Sequence, residues 1–572
     1  MKSIKYFIVV ALLCILVTII WAADQTVQEK GLVAHWKLAG DCRDYSGNDN
    51  HGQGINVEFD PPAAGEGGAA IFNGRNAYIR VKDNNSLNLG MKDFTIALWV
   101  KTEQYTDDVL GDLMTKFDPV SRKGFNLSIM NYPGAANAQP NHRNLFFGID
   151  DAKIDKGFAD CGRPGEANYI TTLTVYDGSL YASTYEGGEH GLGHVYRYDS
   201  GQKWIDCGSP DSSNTVMSMA VLDGKLYAGT GYYHSQGSAL KPSGNEKPGG
   251  KVFRYEGGAK WTDCGRLGEH GMVYSWVVQG GGPAKDVWAL TTFKNHLYGH
   301  PLVSEGVWRY DGEQKWTYVG SPGRRMFGLG VYNGTLYGMG NDIGGIVRYD
   351  GRLMWENAGY QKNVTQVYSI AVHNGIMYAG VWPNGSVFRH DGDTTWTEVG
   401  QLGKEEEVMG MLVYNGKMYA GTLPLAQIYR YEGDSNWTYI DRVDYTPDMR
   451  YRRAWSLAVF NGKLYVGALP SGHVFAIEAG KCVTDDHELA PGWKHLVVVR
   501  DNNRLKLYID GQLKSTSTTF SPKDFNISNA DDLKIGFGTH DYFLGKMRDV
   551  RIYNRVMDQA AVKQLMLHSS AQ

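Results

Sequence analysis

Seven residues stand twelve positions ahead of a recurring tyrosine: Tyr169, Thr215, Asp286, Arg325, Gln366, Glu407 and Arg453, before Tyr181, Tyr227, Tyr298, Tyr337, Tyr378, Tyr419 and Tyr465. All seven are polar or tyrosine, and no two neighbours in the series are alike. Two arginines, two acids and a set of hydrogen-bonding groups are what a pocket uses to orient a polar ligand such as a sugar. Asp286 and Glu407 also form a carboxylate pair of the type that glycoside hydrolysis requires, where the separation decides the stereochemical outcome. Metal-enzyme chemistry lacks its spacing, because no HExxH or paired Cys/His ligand motif occurs. The arginines Arg197, Arg254, Arg309, Arg348, Arg389 and Arg430 recur with the repeat, which marks them as structural rather than as a substrate clamp.

The elements that would position this series are the repeats themselves. Each tyrosine follows Leu or Met, and in six units a second phrase with one of those arginines runs into Trp204, Trp261, Trp316, Trp355, Trp396 or Trp437. Short alternating runs such as KLYAG and VFRYEG are broken by Asp-Gly or Asn-Gly, which supply the positive φ of two-residue hairpins. Each unit is therefore expected to be a four-stranded antiparallel meander. The 41-residue steps from Tyr337 to Tyr378 and from Tyr378 to Tyr419 match the period of propeller blades. The last unit lacks its Trp strand, whereas an orphan copy, Phe158 to Gly162, precedes the first. Joining the two would close a ring without an open sheet edge.

This strand-turn-strand pattern ending in small residues and followed by a Tyr-Asp and a Trp resembles kelch-like propellers over Phe158 to Ala479, although Gly-Thr stands where kelch blades carry paired glycines. The resemblance implies that the first strand of each blade lines a central channel. It places the seven-residue series at one mouth and the Asn-Gly hairpins on the opposite face. The same mouth would carry two insertions, Gly231 to Gly250 and Glu269 to Ala284, with Tyr232, Tyr233 and Trp382 available to stack on a sugar. The alternative is that a channel rim is polar in any propeller and that such aromatics are packed loop residues.

On either side of the repeats the chain changes style. GLVAHWKLAGDCRDYSGNDNHG from Gly31 and FTIALWVKT from Phe94 are taken up again by GWKHLVVVRDNNRLKLYIDGQL from Gly492 and GKMRDVRIYNRVM from Gly545. Read together, these phrases resemble the laminin-G-like jelly roll of the concanavalin A-like lectins. The resulting expectation is an all-β chain, a seven-bladed β-propeller at 157–481 inserted into a split jelly-roll β-sandwich at 29–151 and 487–567. Insertion at such a point is cheap, since closure entropy grows only with the logarithm of loop length. The resemblance also implies a structural Ca2+ near the opening phrase, with Asp44, Asn48 and Asp549 as the matching oxygens. Asp44 to Asn48 reads equally well as a turn whose side chains satisfy backbone groups.

Lys2 and Lys5, the apolar run Tyr6 to Trp21 and the small Ala22 and Ala23 read as a secretory signal peptide over 1–23, with an uncleaved anchor as the rival. A secreted or extracytoplasmic setting follows, with no membrane span after its removal. Of the cysteines beyond Cys14, Cys161 and Cys482 sit where the chain enters and leaves the repeats, so a disulfide latch is expected there. The net charge of -4 offers no basic field for nucleic acid. The function expected is binding or surface recognition, of a glycan or an extracellular protein, without assigned catalytic residues. The alternative is a carbohydrate-active enzyme, a glycoside hydrolase or lyase, working at the channel mouth.

Overall fold

The computed structural model describes residues 29–570, apart from 62–66, 133–135, 154, 156, 236–237, 270–282, 303–305 and 342. The signal peptide at 1–23 and most of the insertion Glu269 to Ala284 lie outside the described residues.

The chain is all-β, and strands from its two ends interleave. Phe94–Thr102 lies between Gly492–Asp501 and Leu544–Tyr553, antiparallel to both. A second sheet places Leu533–Ile535 between Tyr78–Val81 and Gly111–Asp118, and ends with Lys481–Asp485 against Asn144–Asp151. Strand alternation accounts for the packing. Phe94, Ile96, Leu98 and Val100 point into a core shared with Phe125, Phe147, Leu496 and Ile535, whereas Ala97, Val497 and Val499 meet Val562 and Leu565 of the helix Gln559–Ser570. Neither end of the chain holds that core alone.

Between these ends runs a propeller-like arrangement. Five separate four-stranded antiparallel sheets are present, not the seven expected from the repeats. The physical reason lies in the first two units. Their meanders, Tyr169–Asp206 and Thr215–Arg266, are joined through the single pair Tyr185↔Thr215 into one eight-stranded sheet. The inner strands Tyr169–Tyr176, Thr215–Leu222, Ala289–Phe293, Met326–Tyr332, Gln366–His373, Glu407–Tyr414 and Arg453–Phe460 pack side by side in chain order, and the last returns to the first. The orphan strand Ala159–Asp160 pairs with Val474–Ile477 of the last unit, Ala159 opposite Ala476. The repeated Trp of each outer strand donates its indole N–H to the previous unit's outer strand, as Trp261 does to the Cys207 carbonyl at 2.8 Å and Trp437 to Val399 at 2.9 Å.

The hairpin face of this ring rests on the sandwich. Asn374 and Gly375 donate their backbone N–H groups to the carbonyls of Thr539 and His540 at 2.9 and 3.0 Å, and Gly178 donates to Asp486 at 3.1 Å. Glycine is required where these turns meet a partner. Gly416 has φ 87°, and a Cβ there would stand 2.6 Å from the Phe117 ring. The crossing point between the two parts is held by charge. Arg122 is paired with Asp150 at 2.7 Å and with Asp155 at 2.7 Å, and Asp155 also meets Arg430 at 3.0 Å.

Cys161 and Cys482 are both free, so the expected latch is not formed. Cys161 packs with Leu173 and Tyr465 and Cys482 with Tyr414 and Leu464, in two different apolar clusters. Hydrogen-bond ladders rather than sulfur tie the ends of the repeats.

Candidate functional site

The seven-residue series lies where the inner strands begin: Tyr169, Thr215, Gln366, Glu407 and Arg453 are first residues of their strands, and Arg325 and Asp286 come just before theirs. Their side chains divide. Tyr169, Asp286 and Arg453, with Tyr233 of the first insertion, line a cavity of about 260 Å³ at this end of the ring. Thr215 is buried and donates its hydroxyl to the Thr184 carbonyl at 3.3 Å, outside the cavity. Glu407 stands behind Arg453, its Oε2 at 3.6 Å from Nε. Gln366 accepts the Tyr368 hydroxyl at 2.5 Å, Arg325 is exposed at the rim, and Trp382 packs against the aromatic cluster below.

That cluster is the part missed when counting twelve residues back. Two residues further on, ten before each tyrosine, stand Thr171, Met217, Trp288, Phe327, Tyr368, Met409 and Trp455. In six of the inner strands the ladder is interrupted at this level, passing over Thr171, Met217, Phe327, Tyr368, Met409 (there with Gly410) and Trp455. A bulge leaves its extra residue unpaired and re-aims the side chain. Phe327, Tyr368 and Trp455 from these positions join Trp288, Tyr169 and Tyr233 in a closed belt of rings. Tyr233 stacks on Trp288 (6.2 Å, 28°), Trp288 meets Phe327 (5.9 Å), and Phe327 stacks on Tyr368 (4.2 Å, 24°). Tyr368 meets Trp455 edge-on (6.0 Å), Trp455 meets Tyr169 (5.4 Å), and Tyr169 returns to Tyr233 (5.9 Å).

The cavity has a floor, and the sandwich supplies it. The connection between Lys123–Met130 and Asn144–Asp151 reaches into the channel from the hairpin side. Asn137 donates its amide to the Met217 carbonyl and accepts the Trp455 indole N–H at 3.0 Å. Gln139 donates its backbone N–H to Met219 at 3.3 Å, and the Val175 N–H reaches the Pro140 carbonyl at 2.8 Å. Met217 and Trp455 line the cavity above, so the channel ends there.

Charge inside this apolar wall is confined to a few groups. Asp286 is buried and accepts the Leu302 N–H at 2.6 Å. Burial pushes the Glu407 carboxyl up, against the pull of Arg453 beside it. Arg453 Nε and Glu407 Oε2 are buried without a hydrogen-bond partner among the described residues. With rings for stacking, one carboxylate acceptor and one guanidinium, the arrangement can hold a small polar ligand by its faces and its edges.

The residues offered to calcium do not fit it. The Asp44 carboxylate accepts the backbone N–H groups of His35, Ser46 and Asn50 at 2.9, 2.9 and 3.0 Å and the Ser46 hydroxyl at 2.8 Å. Asn48 donates its amide to Val33 at 2.9 Å. Asp549 is held by His35 at 2.7 Å and Arg551 at 2.8 Å, which keep its carboxyl below the ordinary range despite burial. A cation there would displace these donors and sit beside a guanidinium. Among the described residues no group of three His, Cys, Asp or Glu is placed to hold a metal ion. The opening phrase is a hydrogen-bonded turn.

Among the described residues no helix is long and apolar enough to cross a membrane. Solved structures similar to the chain include a streptogramin B lyase, at 11% identity and TM-score 0.45, covering 57% of this chain and 99% of that one. A virginiamycin B lyase from Staphylococcus aureus with quinupristin follows at 10% and 0.42, with the same coverage of 57% and 99%. YCF48 bound to a D1 peptide stands at 12% and 0.40, again covering 57% and 99%. No curated protein sequence matches the chain. The family profile of the concanavalin A-like lectin/glucanases superfamily, Laminin_G_3, matches residues 434–563, a range that takes in the last strands of the repeats as well as the strands that follow them.

Proposed function

We propose that the chain is an extracellular recognition protein that binds a glycan in the cavity at the ring mouth, and that it does so without catalysis. The architecture behind this reading is a ring of seven units, two of them sharing a bridge, inserted into a split jelly roll. The cyclic packing of seven inner strands and the interleaving of both chain ends support it. The observation that carries the functional reading is the closed belt of six aromatic rings around a blind cavity that also holds Asp286 and Arg453. Aromatic faces stack on the apolar faces of sugar rings, and a few convergent polar groups read hydroxyls. A glycoside hydrolase built on the Asp286 and Glu407 pair would need both carboxylates free and facing one ligand. Glu407 does not line the cavity and is engaged with Arg453, which favours binding.

The test is the full chain on a glycan array, beside Tyr233→Ala and Trp288→Ala. Binding lost by at least about tenfold in both variants is expected, since a stacking ring at a binding site is worth more than ~1.4 kcal/mol. Unchanged binding would reject the cavity as the site. Product formation from polysaccharide mixtures, abolished by Glu407→Gln, would replace this reading with the enzymatic one.

A further inference from the structure

Among the groups lining the cavity is a guanidinium that is only partly engaged. Arg453 enters from the start of the seventh inner strand, and its buried Nε has no partner among the described residues. Glu407 pairs with it as an ion pair, Oε2 standing 3.6 Å from Nε, and does not itself line the cavity, which leaves the remaining donors of the fork for a ligand. None of the belt's rings stacks on its guanidinium, although other arginines of the chain, such as Arg324 over Tyr360, do stack. A planar fork of donors facing an apolar-walled cavity is suited to a carboxylate, which it grips in the plane with charge-assisted bonds. Lysine or a hydroxyl would not impose that geometry.

Asp286 stands across the ring, on the third inner strand's approach, with its Oδ1 fixed by the Leu302 N–H at 2.6 Å. Counting around the ring, the third and seventh positions are separated by two units on one side and three on the other, so acid and guanidinium face each other across the belt. An acceptor opposite a cationic fork selects a ligand with hydroxyl donors on one side and an anion on the other. The floor adds a further condition. Asn137, bonded to Met217 and Trp455, stops anything from passing through the channel, so a polymer can enter only by its end.

Resting on the reading of the mouth as a glycan site, we propose that the cavity recognises the terminal sugar of a saccharide that bears a carboxylate, a uronic or sialic acid. The carboxylate meets Arg453, the ring face lies on the belt, and hydroxyls donate to Asp286.

The test needs no fragile variant, because the ligand can be changed instead. The full chain is put on an array of glycans ending in uronic acid, in sialic acid and in neutral sugars, each acidic one beside its carboxyl-reduced counterpart. The same array is read with Arg453→Gln, Glu407→Gln/Arg453→Gln and Trp288→Ala. The expected result is preference for acidic ends by about tenfold or more, as charge-assisted bonds give, lost on carboxyl reduction and in both Arg453 variants. The double variant leaves no buried charge behind, so it reports on recognition where the single one folds poorly. The uronic and sialic arms tell the two sources of carboxylate apart. Equal binding of acidic and neutral ends, lost in Trp288→Ala, would overturn the carboxylate proposal and leave the glycan site standing. Binding of no glycan, or binding unaffected by Trp288→Ala, would remove the site and the proposal together.

Discussion

The two faces of the ring are built from opposite ends of the same strands, yet they differ in kind. On the hairpin face every unit but the third, which has Lys294-Asn295, carries Asp-Gly or Asn-Gly, and turns such as those at Gly178, Gly375 and Gly416 dock on the sandwich through backbone groups and close glycine contacts. On the mouth face each strand begins with a different residue, and the side chains surround a cavity. Sequence regularity therefore marks the surface that is covered, and irregularity marks the surface that is left open. A turn that must present its backbone to a neighbour is held to one conformation, whereas a rim that no other segment covers is free to vary.

The contrast can be broken most sharply at two glycines that both have positive φ. Gly416 meets Phe117, whereas Gly392, φ 109°, at an outer hairpin has nothing within 4 Å of a built Cβ. Gly416→Val is expected to destabilise by about 3 kcal/mol, strain and overpacking together, and Gly392→Val by about 1 kcal/mol, strain alone. Urea unfolding of the two variants decides it; equal losses would mean that the hairpin face is not docked.

The docked face also buries acid. Asp112 is buried on the sandwich side and accepts the N–H groups of His540 and Asp541 at 2.7 and 3.1 Å. Burial raises its carboxyl from the ordinary 3.8 to about 7, and burial raises Asp541 and Asp108 as well. A folded value above the unfolded one means that the native state holds the proton more tightly. The stability this contributes is whole below about pH 4 and is lost as pH rises through about 7. Melting temperature should therefore fall by several degrees between pH 5 and pH 8, and Asp112→Asn should flatten that slope. A slope unchanged in the variant would count against Asp112.

At the boundary between the faces, Asn137→Ala deprives the Trp455 indole and the Met217 carbonyl of partners. A loss of about 1–3 kcal/mol is expected from the orphaned groups, together with weaker ligand binding; full stability with intact binding would show that the floor is not needed. The smallest effect belongs to the rim. Arg325 is exposed, and Arg325→Ala should change stability by less than about 0.5 kcal/mol in the same unfolding experiment.

How far the sequence reaches can be seen at single positions. Counting back from the tyrosines located the starts of the inner strands, because hairpin lengths are nearly constant within a unit. It did not separate Tyr169, Asp286 and Arg453, which line the cavity, from Thr215, which turns away to Thr184. It also passed over Trp288, Phe327, Tyr368 and Trp455, although a count of ten instead of twelve would have collected them. The bulge that turns most of that tier toward the axis leaves no composition signal, since it is a property of the pairing. The oxygens matched to calcium are engaged by neighbours within the chain. Asp44 is held by its neighbours Ser46 and Asn50 and by the His35 N–H, as the turn reading implies, and Asp549 by Arg551 two residues on, whereas the His35 side chain reaches Asp549 only through strand pairing.

Local periodicity determined the strands, the hairpins, the meander units and the seven strand starts, since alternation and turn chemistry act over a few residues and are written into each copy. Tertiary structure alone decided that the first two units share a sheet, that the sandwich covers the hairpin face, and that the 136–141 segment closes the channel. Those outcomes depend on contacts between separate segments, from Tyr185 against Thr215 to Asn137 against Trp455, where the segments meet once and no repetition exists to announce the meeting.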